Sequence, residues 1–185
     1  MTTDTAPPTP ALAYHDATEA LAGDTERRVL AIAEVTLSAV MIAAVIARAN
    51  AAAVGLADLG VAVQIEAATG TPTPTLGIVA SDDTERLTRA VATITDRAAD
   101  TTMQLSRLAR SEPLGAAQRA TTVVIAGHPR VSGWVRQPNA GACALCRWWA
   151  RGGHVYPVDH PFQSHPGCNC AARIILTDKE FHYVR

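Results

Sequence analysis

Residues 143–170 read CALCRWWARGGHVYPVDHPFQSHPGCNC and hold all four cysteines of the chain. The pattern is Cys143-x2-Cys146, eighteen residues, then His165-x2-Cys168-x-Cys170. Two residues between thiols let a tight turn aim both sulfurs at one point. A second set of donors from further along the chain then closes a tetrahedron around zinc, with Zn–S near ~2.3 Å. Five donors, Cys143, Cys146, His165, Cys168 and Cys170, compete for four positions. The residues after Cys170 read as extended, and alternate residues of a strand point to opposite faces. That favours His165 with one of Cys168 and Cys170, and the spacing does not choose between them. Four protein ligands leave no vacancy for water, so the expected cofactor is one structural Zn2+ per chain. Two disulfides or free thiols are the competing readings. Disulfides suit exported chains, and the opening MTTDTAPPTP lacks a basic region followed by an apolar stretch.

Working outward, all three tryptophans fall between 134 and 149. Trp134 and Val135 read as a strand before the first thiol pair. Residues 147–151 read as a short helix stopped by Gly152 and Gly153, and 171–176 as a closing strand with Ile174 and Leu176 on one face. Trp148 and Trp149 would diverge by about 100° on a helix. One is expected over the metal site and the other against the helical part or a partner.

Upstream, alanine-rich runs favour helix. The expected fold class is mainly α. A long-helix hairpin or bundle occupies 13–130, a small α+β zinc-stapled module follows over 131–185, and 1–12 form a disordered or extended arm. A first helix begins near Asp16 or Asp24 and runs through 25–54, which has no Pro or Gly, until Gly55 and Gly60 break it. Residues 56–66 read equally as helix or strand, and 67–75 as a connector. Ser81 caps a helix over 82–110, with Asp82, Asp83 and Glu85 in its first turn. Leu87, Val91, Ile94, Ala98, Thr101, Leu105 and Leu108 recur along it as a heptad seam. The seam suits a hairpin against 25–54, or a homo-oligomer contact. Pro113 starts a third helix that ends at 127–130. The apolar stretch 29–47 contains Glu34, and its uninterrupted part is too short to span a membrane, so no membrane association is expected.

The formal net charge is −1 and Lys179 is the only lysine, which argues against a dedicated nucleic-acid binder. If the zinc module did bind DNA or RNA, Arg130, Arg136, Arg147, Arg151 and Arg173 would carry the phosphate contacts. Asp159-His160-Pro161, with His154 nearby, resembles the start of a nuclease site of the histidine–asparagine–histidine (HNH-like) type. That site also needs a downstream Asn and His, and only His182 follows Cys170. The expectation is that the chain is not an enzyme.

Several segments together resemble a known family. They are Trp134-Val135-Arg136, Ala142-Cys143-Ala144-Leu145-Cys146, Arg151-Gly152-Gly153-His154-Val155-Tyr156 and His165-Pro166-Gly167-Cys168-Asn169-Cys170. They look like the C-terminal signature of phage minor capsid proteins of the Mu F-like head-morphogenesis type, most of all its actinobacteriophage branch. The resemblance covers roughly 105–176, and the earlier helices match only in kind. It implies a protein made in the bacterial host cytoplasm and built into the virion head, with portal or major capsid protein as partner. It implies metal ligands among Cys143, Cys146, His165, Cys168 and Cys170.

Overall fold

The computed structural model describes residues 9–177. Residues 1–8 of the expected arm, and His182, lie outside the described residues. The fold is mainly helical, with a small three-stranded sheet at its C-terminal end. Helix α1 (Pro10–Val35) and helix α2 (Ala39–Thr69) form an antiparallel hairpin joined at residues 36–38. Helix α3 (Thr84–Arg97) and helix α4 (Thr101–Gly127) follow, and α4 packs along both α1 and α2. Then come strand β1 (Val131–Gln137), helix α5 (Ala144–Ala150), strand β2 (Val155–Pro157) and strand β3 (Ala171–Leu176).

Several helix boundaries differ from those expected. Helix α1 starts at Pro10, inside the expected arm, because Pro suits the first turn, where its missing N–H is not needed. The expected helix over 25–54 is divided at 36–38, where the Ser38 hydroxyl accepts the Met41 amide at 3.4 Å and opens α2. The apolar stretch 29–47 is therefore divided between two helices. Helix α2 then runs through Gly55 and Gly60 and takes in 56–66, stopping only at the left-handed Gly70. Two interior glycines cost roughly 1 kcal/mol each against alanine. Burial of Ile42, Ile46, Val61 and Ile65 along the same helix outweighs that. On length and composition alone α2 could cross a membrane; core helices pass the same test.

No single helix spans 82–110. The chain turns at residues 98–100, and the Asp100 carboxylate accepts the Met103 amide at 2.8 Å to start α4. Folding back lets both halves of the heptad seam bury in one place. Leu87, Val91 and Leu105 join Val29, Ile42 and Ile46 in a core, with Ile94 and Leu108 packed at its edge. The seam is thus used inside the chain, against residues between 29 and 46. Arg86 clamps this turn-back by donating to both Glu112 oxygens, at 2.9 and 2.6 Å. Pro113 does not start a helix but lies buried inside α4. Tertiary packing there offsets the lost hydrogen bond, typically ~3 kcal/mol.

The sheet order is β2-β1-β3, all antiparallel. Gly133 is required where β1 meets β2, since a Cβ there would lie 2.5 Å from the Tyr156 carbonyl oxygen. Trp134 stacks on Tyr156 with ring centroids 4.5 Å apart and is buried with Phe162 and Ile174. The helix-to-strand change falls at Val131, yet the core is continuous across it. Val61 and Ile65 of α2 and Val124 and Ile125 of α4 share one cluster with Trp134, Tyr156, Cys146 and Cys168. Gln64 of α2 fastens the join by donating to the Ala172 carbonyl at 3.2 Å and accepting the Ile174 amide at 3.1 Å.

Gly60 tests the hairpin packing. A Cβ at that position would fall 2.7 Å from Cδ2 and 3.1 Å from Cγ of the Tyr14 ring. Tyr14 is itself tied to Thr121 at 3.0 Å. Helix propensity alone predicts that Gly60→Ala stabilises by about 1 kcal/mol. The contact reverses the sign, and thermal melts are expected to show a loss of about 1–3 kcal/mol. A raised melting temperature would contradict this packing.

Candidate metal centre

Cys143 is the N-cap of α5, and its sulfur accepts the Cys146 amide at 3.5 Å. The short helix closes at Arg151, which is left-handed with φ 44°, and Gly152 and Gly153 continue at positive φ. One turn of helix therefore sets both sulfurs of the first pair. The second group comes from a tight turn. Cys168 N–H donates to the His165 carbonyl at 2.9 Å, and Gly167 sits at φ 75° between them. Cys170 immediately precedes β3.

The two groups meet. His165 Nε2 lies 3.3 Å from Cys143 Sγ and 3.2 Å from Cys146 Sγ. Cys146 Sγ lies 3.5 Å from Cys168 Sγ. Donor atoms of Cys143, Cys146 and His165 fall within 4.8 Å of one another, as do those of Cys146, Cys168 and Cys170. All five expected donors are thus gathered, in two triads that share Cys146, and the four cysteines are free thiols. Cys170 joins the second triad because it stands before β3, so strand alternation does not turn it away as expected. The arrangement is compatible with a bound metal ion. His165 Nδ1 faces the Pro166 carbonyl at 3.0 Å. A carbonyl only accepts, so Nδ1 carries the hydrogen and the Nε2 lone pair faces the sulfurs.

The electrostatics are those of crowded thiols. The Cys146 amide draws the exposed Cys143 down to about 7. Burial, with Cys168 alongside, pushes Cys146 up to about 12. Hydrogen bonds from the Cys170 side chain and amide hold Cys168 down at about 4, and the Arg136 guanidinium adds to this. Cys170 is pushed upward by that same contact and by burial. The hydrogen bond to the Pro166 carbonyl raises His165.

Arg136 is the residue whose role the sequence reading missed. It is buried on β1 rather than available for phosphate. Its guanidinium lies 4.0 Å from the Phe162 ring centroid and 5.2 Å from that of Trp149. Nη1 reaches Cys168 Sγ at 3.9 Å, and Nη2 donates to the Gln163 carbonyl. Gln118 of α4 donates to the Cys168 carbonyl. Asn169 accepts from Thr18 at 3.1 Å and donates to Glu19 at 2.5 Å, both on α1. The ligand turn is therefore held by the helices, which no spacing motif signals.

The other candidates fall elsewhere. Trp149 packs at the core edge beside His165, whereas Trp148 is 62% exposed under the Arg151 guanidinium. His160 stacks on Tyr156 at 4.8 Å, and its backbone carbonyl accepts from Trp134 Nε1 at 3.2 Å. Asp159 and His154 are exposed. Among the described residues none of these three joins a metal-competent group. Arg147 donates to the Ala142 carbonyl, while Arg173 is exposed on β3. Comparison of the chain with family models, with curated proteins and with solved structures gives no match.

Ligand sulfurs must be deprotonated, so protons compete with the metal. Cys146, at about 12, is a thiol at neutral pH and loses its proton when a cation binds. Affinity for Cd2+ or Zn2+, read by chelator competition between pH 8 and pH 6, is expected to fall at least about tenfold per unit as pH is lowered. An affinity independent of pH would remove the thiolates from the site.

Proposed function

We propose that this chain is a non-enzymatic structural protein of a tailed-phage head, a minor capsid or head-morphogenesis protein whose C-terminal module is stapled by one structural Zn2+. The observation that carries the reading is the gathering of Cys143, Cys146, His165, Cys168 and Cys170 at the base of a helical bundle. The sulfur-rich donor set suits zinc, and donors sufficient to fill four positions suit a closed site. The motif resemblance supplies the phage-head context. In this reading the helices face portal or major capsid subunits, and the metal module is a rigid end-piece. The protein is made in the host cytoplasm and ends in the virion.

The metal part is tested by chelation. Core packing around Trp134 includes Cys146 and Cys168, while the cluster around Val29, Ile46 and Leu105 is separate. Zinc removal, or Cys146→Ser, is expected to abolish most near-ultraviolet tryptophan dichroism while leaving most helical dichroism. Loss of about 4 kcal/mol or more would lower the melting temperature by roughly 10 °C. Identical melts with and without chelator would contradict the staple.

The particle part is tested by mass spectrometry of gradient-purified virions. Peptides of this chain are expected to remain with DNA-filled heads after high-salt washing. Their absence from heads, with the protein present in the lysate, would contradict a structural role.

A further inference from the structure

The five donors exceed what one tetrahedral ion can use, and the structure discriminates among them. We infer that the ion is held by Cys143, Cys146, His165 and Cys168, with Cys170 outside the ligand set and Arg136 as the buried counter-charge. This rests on the metal-site reading above and goes beyond it by assigning the ligands.

Local geometry is the first argument. Two backbone turns each carry a pair of donors. In one, Arg147 N–H bonds the Cys143 carbonyl at 3.0 Å and brings Cys146 beside Cys143. In the other, Cys168 N–H bonds the His165 carbonyl at 2.9 Å and brings Cys168 beside His165. Contacts of 3.3, 3.2 and 3.5 Å link Cys143 to His165, His165 to Cys146, and Cys146 to Cys168. A tetrahedron with bonds near ~2.3 Å to sulfur and ~2.0 Å to nitrogen has edges of about 3.5–3.8 Å. Cys168 shares a triad with Cys146 and not with Cys143 and His165, so its sulfur must move toward those two to close the tetrahedron.

Cys170 is placed differently. It lies beyond the second turn, and its neighbour Ala171 is already paired with Gln137 in the β1–β3 ladder. Drawing its sulfur onto the ion would pull on that register. Cys168 lies outside that ladder, on a turn where Gly167 takes a conformation that other residues rarely adopt.

Charge is the second argument. Three thiolates, an imidazole and Zn2+ carry a net single negative charge. Among the described residues Arg136 is the one buried arginine, 2% exposed, and it touches Cys168 Sγ at 3.9 Å. One guanidinium balances a three-sulfur site. Four thiolates would leave a second negative charge buried without a partner, which is costly. The charge excludes an all-thiolate shell, and the Arg136 contact with Cys168 Sγ favours Cys168 as the third sulfur.

X-ray absorption on the zinc-loaded full chain reads the shell without any mutation, and three sulfurs with one nitrogen are expected. Chelator competition then separates the cysteines. Cys170→Ser and Cys170→Ala are expected to keep one zinc per chain at near wild-type affinity. Cys168→Ser should weaken it by more than about a hundredfold, beyond a second-shell loss. Arg136→Met should weaken zinc by about tenfold or more, with Arg136→Lys recovering part of it. A four-sulfur shell, or retention by Cys168→Ser with loss in both Cys170 variants, overturns the assignment while leaving the metal site standing. A wild-type chain that takes up no zinc removes the metal site, and the assignment with it.

Discussion

Four sulfurs gathered around one imidazole repel one another as thiolates unless a cation lies among them. The local structure around the cluster bears on that constraint. The α5 helix and the Gly167 turn carry the clustered side chains, and their backbone amides point at a sulfur or close the turns. Arg136 supplies a fixed positive charge beside Cys168, near two aromatic rings and away from water. The shifts of the thiols in opposite directions, Cys168 down and Cys146 up, express the same crowding.

The site is not an appendage. Gln64, Gln118 and the Thr18–Asn169–Glu19 chain attach the ligand turn and β3 to three different helices. Trp134 and Tyr156 form one core with Val61, Ile65, Val124 and Ile125. A sheet of three short strands buries too little to stand alone. Packing against the helices adds burial that the strands lack. The far end of the bundle has its own core around Val29, Ile42, Ile46 and Leu105, so disturbance at the sulfurs need not reach it.

The donor residues were legible because ligand spacing is a local constraint that chain distance alone exposes. So were the strand at Trp134 and the closing strand at Ile174, where side-chain type and turn residues agree. Helix boundaries were less legible because tertiary burial overrides propensity. Pro113 and Gly60 read as breaks, and both lie inside helices whose packed faces outweigh a few kcal/mol. The turn at 98–100 has no Pro or Gly to announce it. Asp100 is its only mark, and a heptad pattern continues across it because both arms bury in one core. Arg136 read as a phosphate contact under the nucleic-acid alternative, since nothing in its neighbourhood along the chain announces two rings and a sulfur.

The account stands or falls on whether a cation occupies that cluster. Native mass spectrometry of the purified full chain measures this directly. One zinc per chain is predicted, with the mass reduced by the protons its thiols release and the adduct lost on acidification. A metal-free chain lighter by the hydrogens of paired thiols would show disulfides instead, and would contradict it.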